Sequence, residues 1–333
     1  MDLAEDASSD FAREEDASFV GKVNLRHCEH ESGTRVELGQ PQEAWLQRSS
    51  AIKVKSGEAN HALHDVLTTR DRAVDIVGYV TYGAFGSGLE GEFAELYIHN
   101  CEDGFELMSR RLIGSGGQVR FVIAEEDVPY YGVYSIAMRV PGDQSLVVGR
   151  LRVFPEGMKF VVVDLDGVLS EDSVSKFESQ LQDLFEPIGL GQRVPQSRES
   201  AVEMIDARVE QGYEVLYLTS RSYALVGKSR AWLGTRGFAP GTLWFADQPV
   251  RNASDALAYK AGVLGRLSQR GYHAEVGYAA TAYEVSAFEK AEVSSVFTVG
   301  ESALDGGGEY LGPSYAAHVG GLDVSLVVDQ PFE

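Results

Sequence analysis

The hydrophobic pattern changes its period near Met158, and no other feature constrains the fold as tightly. Before it, "VDIVGYVTYG", "FAELYIHN", "QVRFVIA", "YGVYSIAMRV" and "SLVVGRLRVF" are short, roughly alternating and rich in β-branched and aromatic residues. Gly, Asp, Asn and Pro separate them. That spacing predicts an antiparallel β-sandwich over residues 71–156, closed by the tight junction "PEG". After it, the apolar runs "FVVVDL", "VLYLT", "TLWFA", "AEVGYA" and "SVFTVG" alternate with helical stretches over 173–187, 197–212, 222–237, 253–271 and 283–291. Continuous apolar strands separated by helices predict a parallel sheet covered on both faces, over residues 157–333. The expected fold class is α/β, with a Rossmann-like parallel sheet and an N-terminal antiparallel β-sandwich.

A chain of 333 residues exceeds what one core usually serves, which agrees with two domains. Residues 1–18 are acidic and poor in apolar groups, and they read as a disordered tail. Residues 19–70 read as an irregular lead-in, in which "HALHDVL" suits a short helix or an extended segment. The net charge of −21 argues against broad electrostatic binding to nucleic acid or anionic membrane, and leaves room for a local basic patch. No run approaches the ~18 apolar residues of a membrane span. No signal peptide is visible, so a cytoplasmic location is expected. Cys28 and Cys101 lie far apart and form no CxxC, and they read as two thiols rather than a pair.

In doubly wound sheets, ligands bind at the carboxyl ends of strands, near a switch in strand order. Asp164 and Asp166 end the first strand of the second domain, and Thr219, Ser220 and Arg221 end the next. Lys260 sits on a later helix ("DALAYKAGVL"), and Glu284 follows the fourth strand ("GYAATAYEVSAF"). This set suits phosphoryl transfer. Paired carboxylates need a cation, and Mg²⁺ takes oxygen ligands from one or two of them, here Asp164 and Asp166 with Glu284. Asp164 would attack phosphorus, and Asp166, two residues on, would serve as acid and base. Gly167 lets the backbone turn beside a phosphate, Thr219 donates to it, and Lys260 balances charge. Each residue also has a bland reading: DxDG as a solvated turn, "LTSR" as a helix cap, Lys260 and Glu284 as surface residues. Their order and spacing favour the functional one.

These residues resemble the haloacid dehalogenase (HAD) phosphatase superfamily, with "DLDGVL", "LYLTSR", Lys260 and "YAATAYEV" standing for its four motifs. The stretch "VLYLTSRSYALVGKSRAWLGTRGFAPGTLWFAD" is similar to the C-terminal domain shared by lipins and Nir-type phosphatidylinositol-transfer proteins. The sandwich resembles the domain that precedes this module. The resemblance implies a HAD-like fold with minimal cap and an aspartyl-phosphate mechanism. Phosphatidate, or a related phosphomonoester at a membrane surface, is the implied substrate.

Departures qualify this. Val168 replaces the usual threonine, and in the fourth motif Ala279, Ala280 and Tyr283 are non-acidic, leaving Glu284 alone. The interval from Asp166 to Thr219 has no room for a large cap, so the site should be open. Between Thr219 and Ala246 the charged residues are Arg221, Lys228, Arg230 and Arg236, with no acid among them. That stretch reads as an anionic-headgroup patch in which Arg221 and Lys228 bind substrate, or as a solvated helix paired with acids elsewhere. Trp232 and Leu233 read as core. The leading expectation is a Mg²⁺-dependent phosphomonoester hydrolase. The alternatives are a catalytically weak phosphatidate-binding module and an interaction protein on a decayed phosphatase fold.

Overall fold

The computed structural model describes residues 23–30, 36–55, 57–83, 86–171, 195–247, 250–304 and 306–332. The expected tail over 1–18 and helix over 173–187 lie outside the described residues. The amino-terminal half forms β1 (Arg26–Cys28), α1 (Arg48–Val54), β2 (Ala62–Leu63), β3 (Val66–Thr68), β4 (Val74–Tyr79), β5 (Thr81–Tyr82), β6 (Ser87–Gly88), β7 (Phe93–Asn100), β8 (Gly104–Leu112), β9 (Gln118–Ile123), β10 (Gly132–Arg139) and β11 (Leu146–Val153). One sheet runs β3-β11-β10-β7-β8 with β1 also on β10, and the facing sheet runs β2-β4-β9. Most pairings are antiparallel, as expected, but β1 on β10 and β3 on β11 are parallel. Both parallel strands come from residues expected to be an irregular lead-in, and "HALHDVL" is extended.

Alternation decides which faces are buried. In β9, Val119, Phe121 and Ile123 are buried while Gln118, Arg120 and Val122 are exposed. β10 is buried along its whole length, since it is covered on both sides. β8, "GFELMSRRL", is largely exposed and carries charge on its open face, so its composition hid it from the strand pattern. A disulfide joins Cys28 to Cys101, with Cα atoms 4.6 Å apart, and corrects the expectation of two thiols. The two lie 73 residues apart in sequence, but β1 against β10 and the β7–β8 turn bring them together.

The second half forms β12 (Lys159–Val163), α2 (Ala201–Glu210), β13 (Glu214–Ser222), α3 (Val226–Arg236), β14 (Thr242–Ala246), α4 (Ala253–Gln269), β15 (His273–Ala279), α5 (Ala282–Lys290), β16 (Ser295–Thr298), β17 (Glu309–Tyr310) and α6 (Ala316–Gly321). Its sheet is parallel throughout, in the order β14-β13-β12-β15-β16-β17. The chain moves outward through β13 and β14, then returns to the other side of β12 as β15. The order therefore reverses between β12 and β15, and β12 is the central buried strand. Phe160 to Val163 are 0% exposed, each contributing about 1.5–3 kcal/mol by burial.

The halves share their cores. Ala62 and Tyr79 of the sandwich pack in the same cluster as Val161, Val163 and Val215, and Leu67 and Val133 pack with Phe160, Leu216 and Leu264. Tyr79 stacks on Tyr223 with ring centroids 3.6 Å apart. At the seam, buried Asp65 accepts the backbone N–H groups of Arg150 (2.8 Å) and Leu243 (3.0 Å) and the Nη2 of Arg230 (2.7 Å).

Candidate functional site

The turn Leu165–Leu169 follows β12 at the reversal of strand order. Asp164 caps it: its Oδ1 accepts the N–H of Leu165 (2.6 Å) and of Asp166 (3.4 Å). Gly167 adopts φ 74°, and a Cβ there would lie 3.0 Å from that of Ala280. Only a residue without a side chain takes this conformation against the β15–α5 loop without strain. Arg198 holds the turn from outside, donating to the carbonyls of Gly167 and Pro313 at 2.6 Å each.

Two ion clusters sit on this turn. In the first, Lys260 Nζ bridges Asp164 Oδ2 and Glu284 Oε1, the latter at 2.5 Å, and all three side chains are almost fully buried. Glu284 Oε2 accepts the N–H of Ala280 (2.8 Å) and Thr281 (3.1 Å), closing a capping box on α5. In the second, Arg221 grips both oxygens of Asp166, through Nε at 2.9 and 3.1 Å and Nη2 at 2.5 Å. Such a fork on a carboxylate is the stronger class of charged hydrogen bond. Arg221 also donates its backbone N–H to Thr219 Oγ1 (3.2 Å) and its Nη1 to Ser229 Oγ (3.2 Å). Beside Lys260, burial pushes the Tyr259 phenol up.

The structure thus brings Asp164, Asp166, Gly167, Thr219, Arg221, Lys260 and Glu284 to one strand-end region. Ser220 is adjacent but buried, and its hydroxyl has no hydrogen-bond partner among the described residues. Lys228 lies exposed on α3. The basic stretch does not act as one patch. Arg230 turns to Asp65, and Arg236 and Trp232 donate to the carbonyl of Pro195 at 2.8 and 2.9 Å. Asp65, Arg198 and Tyr315, whose hydroxyl donates to the Val168 carbonyl (3.2 Å), support the site and its seam. The sequence carries no local motif for them, because each acts through residues far away in the chain.

Among the described residues, the three carboxylates face Lys260 and Arg221. Mg²⁺ bound through Asp164 Oδ2, Glu284 Oε1 or Asp166 would compete with Lys260 or Arg221 for those oxygens. Among the described residues, no three His, Cys, Asp or Glu side chains are placed to hold a metal.

Residues 161–300 match the family model described as PITM 1-3, LNS2 domain, and residues 59–153 match PITM 1-3, beta-sandwich domain. Membrane-associated phosphatidylinositol transfer protein 3 of Mus musculus is 26% identical over 299 residues, covering 88% of this chain and 29% of that protein. Membrane-associated phosphatidylinositol transfer protein 2 of Mus musculus is 27% identical over 323 residues, covering 92% of this chain and 22% of that protein. Protein retinal degeneration B of Drosophila melanogaster is 26% identical over 292 residues, covering 85% and 22%. The chain spans less than a third of the length of these relatives. Their names overturn the expectation of a phosphomonoester hydrolase: the chain is similar to proteins named for lipid transfer, not to proteins named as phosphatases. No helix among the described residues is long and apolar enough to cross a membrane. The chain therefore carries, in order, a sandwich similar to the PITM 1-3 beta-sandwich domain and a parallel-sheet α/β domain similar to the PITM 1-3 LNS2 domain.

Proposed function

We propose that this chain is a lipid-binding module that recognises the phosphate of an anionic phospholipid, phosphatidate first, at a membrane surface. The observation that carries the reading is the pairing of Asp166 with Arg221, beside that of Asp164 and Glu284 with Lys260. Arg221 holds Asp166, the group expected to serve as acid and base, in a fork, and this favours binding over turnover at the strand ends. Arg221 is the key group. Its planar fork matches a phosphate as well as it matches a carboxylate, and its side chain is 13% exposed, at the mouth of the site. A headgroup phosphate would take the fork from Asp166, with Lys228 on exposed α3 adding attraction to the anionic surface. The names of two relatives support a lipid ligand, since they speak of phosphatidylinositol transfer and membrane association.

Vesicle co-sedimentation tests this. The 333-residue chain should bind phosphatidylcholine vesicles containing phosphatidate more tightly than vesicles containing phosphatidylinositol or phosphatidylcholine alone. R221A should lose about 1.5–3 kcal/mol, the range for a charged hydrogen bond. K228A should lose less, and its binding should be less salt-sensitive than that of wild type. D166N should strengthen binding, because Arg221 is released and like-charge repulsion of the phosphate falls. Equal binding to all three vesicles, or D166N and R221A weakening it alike, would refute the reading.

A further inference from the structure

At the seam between the two halves, away from Asp164, lies a second cluster of cations that the strand-end site does not use. Residues two apart on a strand share a side, so β11 presents Arg150 and Arg152 on one face. Leu151 and Val153, on the other face, are fully buried in the sandwich. The arginines face the α/β half near Glu214, the first residue of β13, where Arg230 of α3 meets them. Between them is a cavity of about 310 Å³, lined by these three arginines and Glu29 with Tyr217 and Phe238. That size falls in the range of small-ligand sites, roughly 300–1,000 Å³.

Arg152 is the informative residue. It is 3% exposed, and its Nε and Nη1 have no hydrogen-bond partner among the described residues. Asp65 Oδ2 stands 3.9 Å from Nη1, beyond hydrogen-bond reach, and its oxygens already serve Arg230, Arg150 N and Leu243 N. Glu29 is engaged with Arg150 Nε at 2.8 Å. Burial pushes the Glu214 carboxyl up, against the pull of the Arg152 charge. A guanidinium keeps its charge in a protein and has five donors to satisfy. A buried one with unmet donors, facing a cavity shared with two more arginines, lacks an anion of the right size.

We propose that this cavity binds a phosphomonoester dianion carried by a small polar ligand, with Arg152 as central donor and Arg150 and Arg230 beside it. The phosphate takes the unmet donors of Arg152, and the ring faces of Tyr217 and Phe238 cover the body of the ligand. The site is separate from Arg221 and Lys228, so it stands whether or not the strand-end site binds lipid.

The test is calorimetric titration of the full chain with inositol 1-phosphate and, separately, with inorganic phosphate. Saturable binding of at least one is expected, with loss of at least about tenfold in R152M, the effect of one charged hydrogen bond, and no loss in R221A. Without ligand, R152M should melt no lower than wild type, because an unsatisfied buried charge has been removed. Phosphatidate vesicles form the second arm: competition with inositol 1-phosphate assigns the site to a lipid headgroup, and no competition assigns it to a soluble phosphate. Should R152M fail to fold, hydrogen exchange on wild type replaces it, and ligand should then protect amides in 150–152 and 238–241. Absence of saturable binding at 10 mM ligand, equal binding by R152M, or absence of that protection would overturn the proposal.

Discussion

Replacing Asp65 by Asn changes one oxygen into an NH₂ group and removes one charge, at a position whose side chain is 0% exposed. Three donors now point at the carboxylate: Arg150 N and Arg230 Nη2 at Oδ1, and Leu243 N at Oδ2. Whichever way the amide turns, at least one donor meets another donor. The guanidinium of Arg230 also loses its counter-charge. Breaking a buried ion pair from one side costs about 3–5 kcal/mol, since the remaining charge is left uncompensated. Asp65 binds atoms of β11, α3 and β14, so the loss falls on both halves at once. Urea unfolding followed by tryptophan fluorescence is the assay, because Trp244 Nε1 donates to the Asp65 carbonyl (3.1 Å) and reports the seam. Far-UV circular dichroism reports the whole chain. D65N should shift both transitions together, by the full 3–5 kcal/mol. A loss under about 1 kcal/mol, or a shift in one probe alone, would refute the account of the seam.

K260M leaves Asp164 and Glu284 as buried carboxylates without their shared cation, and should cost about 3–5 kcal/mol in urea unfolding; an unchanged midpoint removes the triad from the stability account. Gly167→Ala must hold a left-handed backbone with its Cβ at 3.0 Å from Ala280, so a loss of about 1–2 kcal/mol is expected from the backbone alone, measured by thermal melting. Acid should destabilise the fold through His61, which burial pushes down to about 4 from 6.5. The unfolded chain takes up this proton first, so the stability is complete above pH 6.5 and is lost as pH falls toward 4. Comparing wild type with H61Q between pH 7 and 4.5 should isolate about 2 kcal/mol of that loss; parallel pH curves would refute it. His318, also pushed down to about 4 by burial and by Arg208, acts in the same direction.

Periodicity carried the two-layer plan because each half buries its strands in a different way. β7 is "FAELYIHN" at Phe93–Asn100, the stretch read as a strand, and β14 is the run "TLWFA" at Thr242–Ala246. β8 escaped because both its faces are largely open and polar, so it carries no alternation to read. β1, β2 and β3 escaped because strands of two or three residues are too short to set a period. At the site, the spacing of Asp164 and Asp166 and the order of the later motifs located the strand ends. What spacing could not give was partnership. Arg221 read as a group for the ligand and is held by Asp166; Arg230 read as part of a surface patch and is held by Asp65. Ion pairs form between residues 55 and 165 positions apart, and side-chain direction settles them. Arg152 had a legible signal in "GRLRV", two charges on one side of a strand whose other side is core, but their shared facing only acquires meaning once the α/β half stands opposite.

The shared packing of Ala62, Tyr79, Leu67 and Val133 with the α/β strands bears on where this chain can be cut. The two family models meet between residues 153 and 161, and a scissors point there looks natural. A fragment starting at Lys159 would carry the apolar faces of Val161, Val215 and Leu264 without their lid, and would leave Tyr223 without its stacking neighbour. Such a surface draws aggregation rather than function. The unit that can be excised, transplanted or fused to another protein is the pair, and an assay run on the α/β half alone would measure a wound.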